Sequence, residues 1–126
     1  MARILVVEDN EDLRLIIKDI LEDAGHDISQ ACDGAEVEEI LSIQPVDLVL
    51  TDIIMPEQEG IQTIIRLRKQ FPDLKIIGMS GGGSLGNAEY YLEMAQEFGA
   101  NAALQKPFSK TQLIETIQEL IGCPTS

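Results

Sequence analysis

The stretch that decides the fold is Val46-Asp47-Leu48-Val49-Leu50-Thr51-Asp52-Ile53-Ile54-Met55-Pro56. Val46 to Thr51 is short, mostly apolar and β-favouring, which reads as a strand buried on both faces. The run ends on a carboxylate, Asp52, where strand gives way to loop. Pro56 and Gly60 bracket that loop. In open α/β sheets, ligands bind at this end of the strands. A lone Asp after a strand is ordinarily a cap or turn residue. Its meaning here depends on what stands at the ends of the other strands.

On the N-terminal side, Ile4-Leu5-Val6-Val7 is a second buried strand, closed by Glu8-Asp9. Asn10 suits a helix N-cap. Leu13, Ile16, Ile17, Ile20, Leu21 and Ala24 follow helical spacing and are expected to face inward, up to a stop at Gly25. Asp27 to Cys32 is a more polar strand, expected at the sheet edge. His26 precedes it and reads as a surface loop residue with no catalytic or metal partner in view. Asp33-Gly34 reads as a turn, and Ala35, Val37, Ile40 and Leu41 as a second helix ended by Pro45.

Past the central strand, Ile61, Ile64, Ile65 and Leu67 mark a third helix that stops before Phe71-Pro72. Leu74 to Met79 is a fourth strand ending at Ser80, followed by the glycine-rich loop Gly81–Gly86. Asn87 is a candidate cap for a fourth helix carrying Tyr91, Leu92, Ala95 and Phe98, with Gly99 at its end. Ala102 to Gln105 is a short fifth strand, and Lys106-Pro107-Phe108 follows it. Ser109 and Gln112 fit a capping box. Leu113, Ile117, Leu120 and Ile121 give the last amphipathic helix.

Strand and helix thus alternate five times, without a linker or low-complexity segment. That alternation predicts an α/β fold with a doubly wound, five-stranded parallel sheet covered by helices on both faces. The expected arrangement is flavodoxin-like (βα)5 with strand order 2-1-3-4-5, which puts strands one and three side by side at the switch point. Those are the two strands that end in carboxylates.

At 126 residues the chain is expected to be one domain, residues 1–126, large enough to bury a core. A net charge of −13 repels nucleic acid phosphates and anionic membrane surfaces, which argues against both as partners. Cys32 and Cys123 form no metal-binding spacing and are expected to be free thiols. Met1-Ala2-Arg3 runs straight into a strand, with no signal peptide pattern and no apolar run of spanning length, so a cytoplasmic protein is expected.

Four strand ends carry polar groups on one predicted rim: Glu8 and Asp9, Asp52, Ser80, and Lys106. Close carboxylates repel, and burial raises their pKa values. A divalent cation relieves this, and hard oxygen donors suit Mg²⁺. The formal charges of three carboxylates are balanced by Mg²⁺ and Lys106 together. Such a pocket can accept a phosphoryl group, with Asp52 as nucleophile forming an acyl phosphate. Lys106 would neutralise charge on the transferring oxygens, and the Ser80 hydroxyl would donate to one of them. Taken singly, Lys106 reads as a solvated lysine, Ser80 as a turn residue and Glu8-Asp9 as charges favouring a helix N-terminus. Their agreement on one rim makes the site specific.

With these residues in place, the sequence resembles the receiver domains of two-component response regulators. The resemblance rests on Ile4–Asn10 (ILVVEDN), Asp47–Pro56 (DLVLTDIIMP), Ile76–Ser80 (IIGMS) and Lys106–Phe108 (KPF), and it covers the whole chain in order. It implies that Asp52 is the phosphoacceptor and that Asp9, with Glu8 beside it, binds Mg²⁺ together with Asp52 and the main-chain carbonyl of Ile54. It also implies that Ser80 and Lys106 contact the phosphoryl group. A sensor histidine kinase or histidine phosphotransfer protein would be the donor, and an unknown protein the downstream target. The chain departs from the family in having the longer Glu8 where Asp is common, and in Ala103, where many receivers carry an aromatic that swings inward on activation. Tyr90 or Tyr91 is a candidate substitute for that aromatic.

The function expected is a stand-alone phosphorylation switch, not a turnover enzyme. A phosphate-independent receiver-like binding module is the first alternative. A small Mg²⁺-dependent aspartyl-phosphate phosphatase is a weaker one, because such enzymes need a second Asp where this chain has Ile54. A flavodoxin-type flavin binder is weaker still, since Glu8-Asp9-Asn10-Glu11 would repel the flavin phosphate.

Overall fold

The apolar runs become strands because helices cover them on both sides. A computed structural model of the chain describes residues 2–53, 59–80, 93, 96, 97 and 99–121. The elements are β1 (Arg3–Val7), α1 (Glu11–Asp23), β2 (Asp27–Ala31), α2 (Gly34–Ile43), β3 (Leu48–Asp52), α3 (Glu59–Gln70), β4 (Lys75–Ser80), β5 (Ala102–Gln105) and α4 (Lys110–Ile121). Glu93, Gln96 and Glu97 are helical. The rest of the fourth helix predicted over 87–98, the Gly81–Gly86 loop, Tyr90, Tyr91, Ile54 and Cys123 lie outside the described residues.

All pairings are parallel, and the sheet order is β2-β1-β3-β4-β5, as the alternation predicted. Side chains alternate across the sheet. Leu5, Val7, Val49 and Ile76 pack on one face with Val37 and Leu41 of α2 and Ile64 and Leu67 of α3. Ile4, Val6, Leu48, Leu50, Ile77 and Met79 pack on the other with Ile17 and Leu21 of α1 and Leu113 and Ile117 of α4. Each fully buried aliphatic side chain contributes about 1.5–3 kcal/mol relative to exposure. This two-sided burial is why β1 and β3 read as continuous apolar runs. β2, at the edge, is only partly covered.

The helix starts were largely legible. The Asn10 side chain accepts from the Leu13 amide at 3.0 Å, and Glu11 and Asp12 favour the positive end of α1. Gly25, with φ of 100°, turns the chain out of α1. Before α4, the Ser109 amide donates to Gln112 Oε1 at 2.8 Å and the Gln112 amide to Ser109 Oγ at 3.0 Å, a complete capping box. Asp33-Gly34 is a helix start and not a free turn: Asp33 caps α2, accepting from the Ala35 and Glu36 amides. Gly34 opens that helix because a Cβ there would collide with Thr63 Oγ1 on α3.

Two further expectations fail. Ile16 lies at the edge of the apolar stripe of α1 and is 56% exposed, with Leu15 beside it at 42%. His26 is buried, at 5% exposure. Its short loop tucks the ring under β1, where the Ala2 amide donates to Nδ1 at 3.4 Å. That bond requires the neutral ring with its proton on Nε2. Burial, and then the positive amino terminus, hold the His26 pKa below its ordinary 6.5. Below that value the unfolded chain takes up a proton that the folded protein resists. Folding stability should therefore fall as pH drops from 6.5 through the lower, folded-state pKa. Urea denaturation of the wild type and His26→Gln at stepped pH checks this: the His26-dependent part of the slope should vanish in the variant.

Among the described residues no helix is long and apolar enough to cross a membrane. Cys32 is a free, exposed thiol.

Candidate functional site

The topology delivers the four strand ends to one rim. Glu8 follows β1, Asp52 ends β3, Ser80 ends β4, and Lys106 follows β5. The sheet hydrogen bonding continues past the strands and fixes their relative height. The Glu8 amide donates to the Ala31 carbonyl at 3.1 Å, Ile53 to Met79 at 2.8 Å, and Lys106 to Ser80 at 2.7 Å. The Lys106–Pro107 peptide is cis.

Glu8, Asp9 and Asp52 each place a carboxylate oxygen within 4.8 Å of the others. Glu8 and Asp52 are buried, at 1% and 5% exposure, whereas Asp9 is exposed. Lys106 Nζ lies 2.6 Å from Glu8 Oε1 and 3.0 Å from Asp52 Oδ2, bridging the first and third strands. The other Glu8 oxygen accepts from the Asn10 amide at 3.1 Å. Both oxygens of Glu8 are thus engaged by the protein itself.

Burial pushes the Glu8 carboxyl above its ordinary 4.5, and the neighbouring Asp9 and Asp52 add to the rise. Lys106 and the Asn10 amide oppose it without cancelling it. Burial alone would lower the Lys106 ammonium, but Glu8 and Asp52 outweigh burial and hold it above 10.5. Lys106 therefore stays charged at any physiological pH. It is the counter-ion of a buried carboxylate pair, not a solvated surface lysine.

Ser80 is fully buried at the end of β4. Ala103, on β5, is half-buried. The Ile54 carbonyl lies outside the described residues. The chemistry of the donor set, three carboxylates converging on one point, fits a hard divalent cation such as Mg²⁺. The Glu8–Lys106 bond was missed from sequence, as was Arg14, whose guanidinium reaches the Glu8 carbonyl at 2.8 Å. A basic residue so near the acidic start of α1 was the available signal.

The family model for the response regulator receiver domain matches residues 4–118. The chain belongs to this family. It is a receiver domain of two-component systems, with the fold the sequence resemblance implied. Response regulator receiver protein CpdR of Brucella abortus is 34% identical over 122 residues, covering 96% of this chain and 98% of that protein. Sensor kinase CckA of Brucella abortus is 35% identical, covering 95% of this chain and 12% of the kinase. The chain thus spans nearly all of one relative and a small part of another. The crystal structure of the NtrX receiver domain from Brucella abortus superposes with a TM-score of 0.84 at 30% identity, covering 98% of this chain and 99% of that one.

Proposed function

We propose that residues 1–126 act as a single receiver domain that takes a phosphoryl group onto Asp52 and thereby switches its affinity for a protein partner. The observation that carries this reading is the Lys106 ammonium lying between Glu8 and Asp52 on a rim where three carboxylates converge. The donor is a phosphohistidine on a sensor histidine kinase or a histidine phosphotransfer protein. An Asp52 carboxylate oxygen attacks phosphorus, a P–O bond forms as the P–N bond breaks, and the leaving imidazole takes a proton. Occurrence of a matching segment in a sensor kinase supports a phosphorelay setting.

Asp9, Asp52 and the main-chain carbonyl of Ile54 would hold Mg²⁺, with Glu8 contributing directly or through water. When bound, the ion supplies charge neutralisation for the phosphoryl oxygens. The rest is the work of this chain. Lys106 pairs with a phosphoryl oxygen, and Ser80 donates to another as the end of β4 moves toward it. New contacts at the rim then favour one of two arrangements of the partner-binding face. The protein catalyses its own phosphotransfer and slow self-hydrolysis, and it works in the cytoplasm on protein partners, not on nucleic acid or membrane.

The test is intact mass after incubation with acetyl phosphate, with and without Mg²⁺, for the wild type and Asp52→Asn. The wild type should gain one phosphoryl group only with Mg²⁺, and the variant none. No gain in any condition would favour the phosphate-independent binding module.

A further inference from the structure

Arg14 stands one helical turn after the Asn10 cap, near the positive end of α1, where a cation is disfavoured by the helix dipole. Its neighbours Glu11 and Asp12 follow the opposite rule. The side chain earns its place by bending back toward the rim. Nη1 donates to the Glu8 main-chain carbonyl at 2.8 Å, and Nε donates to Gln30 Oε1 on β2 at 3.2 Å. Glu8 is thereby held through both of its flanking peptides, because its amide, in the peptide from Val7, donates to the Ala31 carbonyl at 3.1 Å. The carbonyl that Arg14 grips belongs to the peptide joining Glu8 to Asp9. Its orientation sets the direction in which the Asp9 backbone, and with it the Asp9 side chain, leaves β1.

We infer that Arg14 is a positioning residue for metal binding, clamping the Glu8–Asp9 peptide against β2 so that Asp9 is presented to the carboxylate cluster with Asp52. This inference rests on the Mg²⁺ site proposed above. It goes beyond that reading by assigning a role to a cation that touches no candidate ligand atom. Gln30 is part of the device: it fixes the guanidinium plane, so that the fork donates in two directions at once. Groups that orient metal ligands typically change affinity ten- to a hundredfold when removed.

Charge and positioning make opposite predictions, and this makes the test sharp. Removing a positive charge beside carboxylates would by itself tighten cation binding. Losing the clamp would weaken it. The experiment is a Mg²⁺ titration followed by calorimetry and by the amide resonances of Asp9 and Asp52, on the wild type, Arg14→Ala, Arg14→Lys and Gln30→Ala. Hydrogen exchange of the Asp9 and Asn10 amides, measured without metal, reads the clamp directly.

Arg14→Ala should raise the Mg²⁺ dissociation constant about tenfold. Arg14→Lys, which keeps the charge but cannot donate along both directions, should also weaken binding, as should Gln30→Ala. Exchange at Asp9 and Asn10 should speed up in all three. Tighter binding in Arg14→Ala with unchanged binding in Arg14→Lys would overturn the inference in favour of charge alone. Unchanged affinity in every variant, with a wild type that does bind, would overturn it while leaving the metal site standing. A wild type that binds no Mg²⁺ would remove the metal site and the inference with it. If Arg14→Ala does not fold, Arg14→Lys and Gln30→Ala decide by the same criteria.

Discussion

Lys106→Met should lower the stability of the metal-free protein by about 3 kcal/mol at neutral pH, the usual scale for stripping a buried charge of its partner. In the wild type one ammonium serves two buried carboxylates, Glu8 at 2.6 Å and Asp52 at 3.0 Å. The Lys106 side chain is itself only 19% exposed, so solvent screens the arrangement weakly. Methionine fills similar volume without the charge and leaves Glu8 and Asp52 facing each other. The deficit should depend on pH, and its sign follows from Glu8. The Glu8 carboxyl already titrates above 4.5 when folded, and loss of Lys106 moves it further up. A group whose folded pKa is raised favours the folded state below its unfolded value, and that contribution is lost as pH rises through the folded value. The gap between wild type and variant should therefore be small in mild acid and grow toward neutrality. Added Mg²⁺ should narrow it, since a second cation replaces the missing one. Urea denaturation at stepped pH, with and without Mg²⁺, measures all three. A gap independent of both pH and Mg²⁺ would mean that Lys106 contributes packing alone, and the electrostatic account of the site would fall.

The parts of this molecule that were legible in its sequence are those governed by local period and by chain topology. Val46 to Thr51 could be read as a strand because two-sided burial leaves it mostly apolar: Asp47 lies before the strand proper, and Thr51 is β-branched and fully buried. Glu8 and Asp52 could be placed together because the flavodoxin-like order 2-1-3-4-5, with right-handed crossovers, makes β1 and β3 neighbours. Ser109 and Gln112 could be paired because the capping box is a three-residue interval. The parts that stayed hidden are set by the far ends of long side chains. Glu8 and Lys106 are 98 positions apart, and nothing in either local pattern says that an ammonium after the fifth strand reaches a glutamate after the first. Sequence reasoning placed both on the rim but assigned Glu8 to the metal alone. His26 was misread for a related reason. A loop label describes backbone, whereas burial depends on which neighbour the ring lies against, here Ala2. Ile16 shows the limit of a helical stripe at its margin. The period places it near the core, and only the reach of the neighbouring strands decides that it is left in solvent.

Arg68→Ala, far from the site, should cost about 3 kcal/mol in chemical denaturation. Arg68 is the fastener between the end of α3, the turn into β4 and the approach to β5. Its Nη1 donates to the Pro72 carbonyl at 2.8 Å and the Leu74 carbonyl at 2.7 Å. Nε and Nη2 both donate to the Gly99 carbonyl, at 3.0 and 2.7 Å, and Nη2 also reaches Asn101 Oδ1 at 2.7 Å. That same Asn101 oxygen accepts the Ile76 amide at 2.9 Å, so the guanidinium braces the first turn of sheet pairing between β4 and β5. Three carbonyls lose a charged donor when it is removed. Bonds of this kind are worth roughly 1.5–3 kcal/mol singly, less when shared, because water reaches the exposed members. Arg68→Lys should recover little, since one ammonium cannot span carbonyls on both sides of the loop. Gly99 is tied to the same feature. Its φ of 130° is closed to L side chains, and a Cβ there would lie 3.1 Å from the Arg68 stem. Gly99→Ala should therefore destabilise both the wild type and Arg68→Ala, through backbone strain that removal of the arginine does not relieve. Amide exchange at Ile76 and Asn101 should rise in Arg68→Ala ahead of exchange in β1 and β3, because the lost bonds hold the β4–β5 side of the sheet. A uniform rise across all five strands would instead mean that Arg68 supports only global stability. Faster exchange confined to β4 and β5 would connect the brace to the strand that delivers Ser80 and the strand that delivers Lys106. The rim would then owe its geometry to a residue at the opposite end of the sheet.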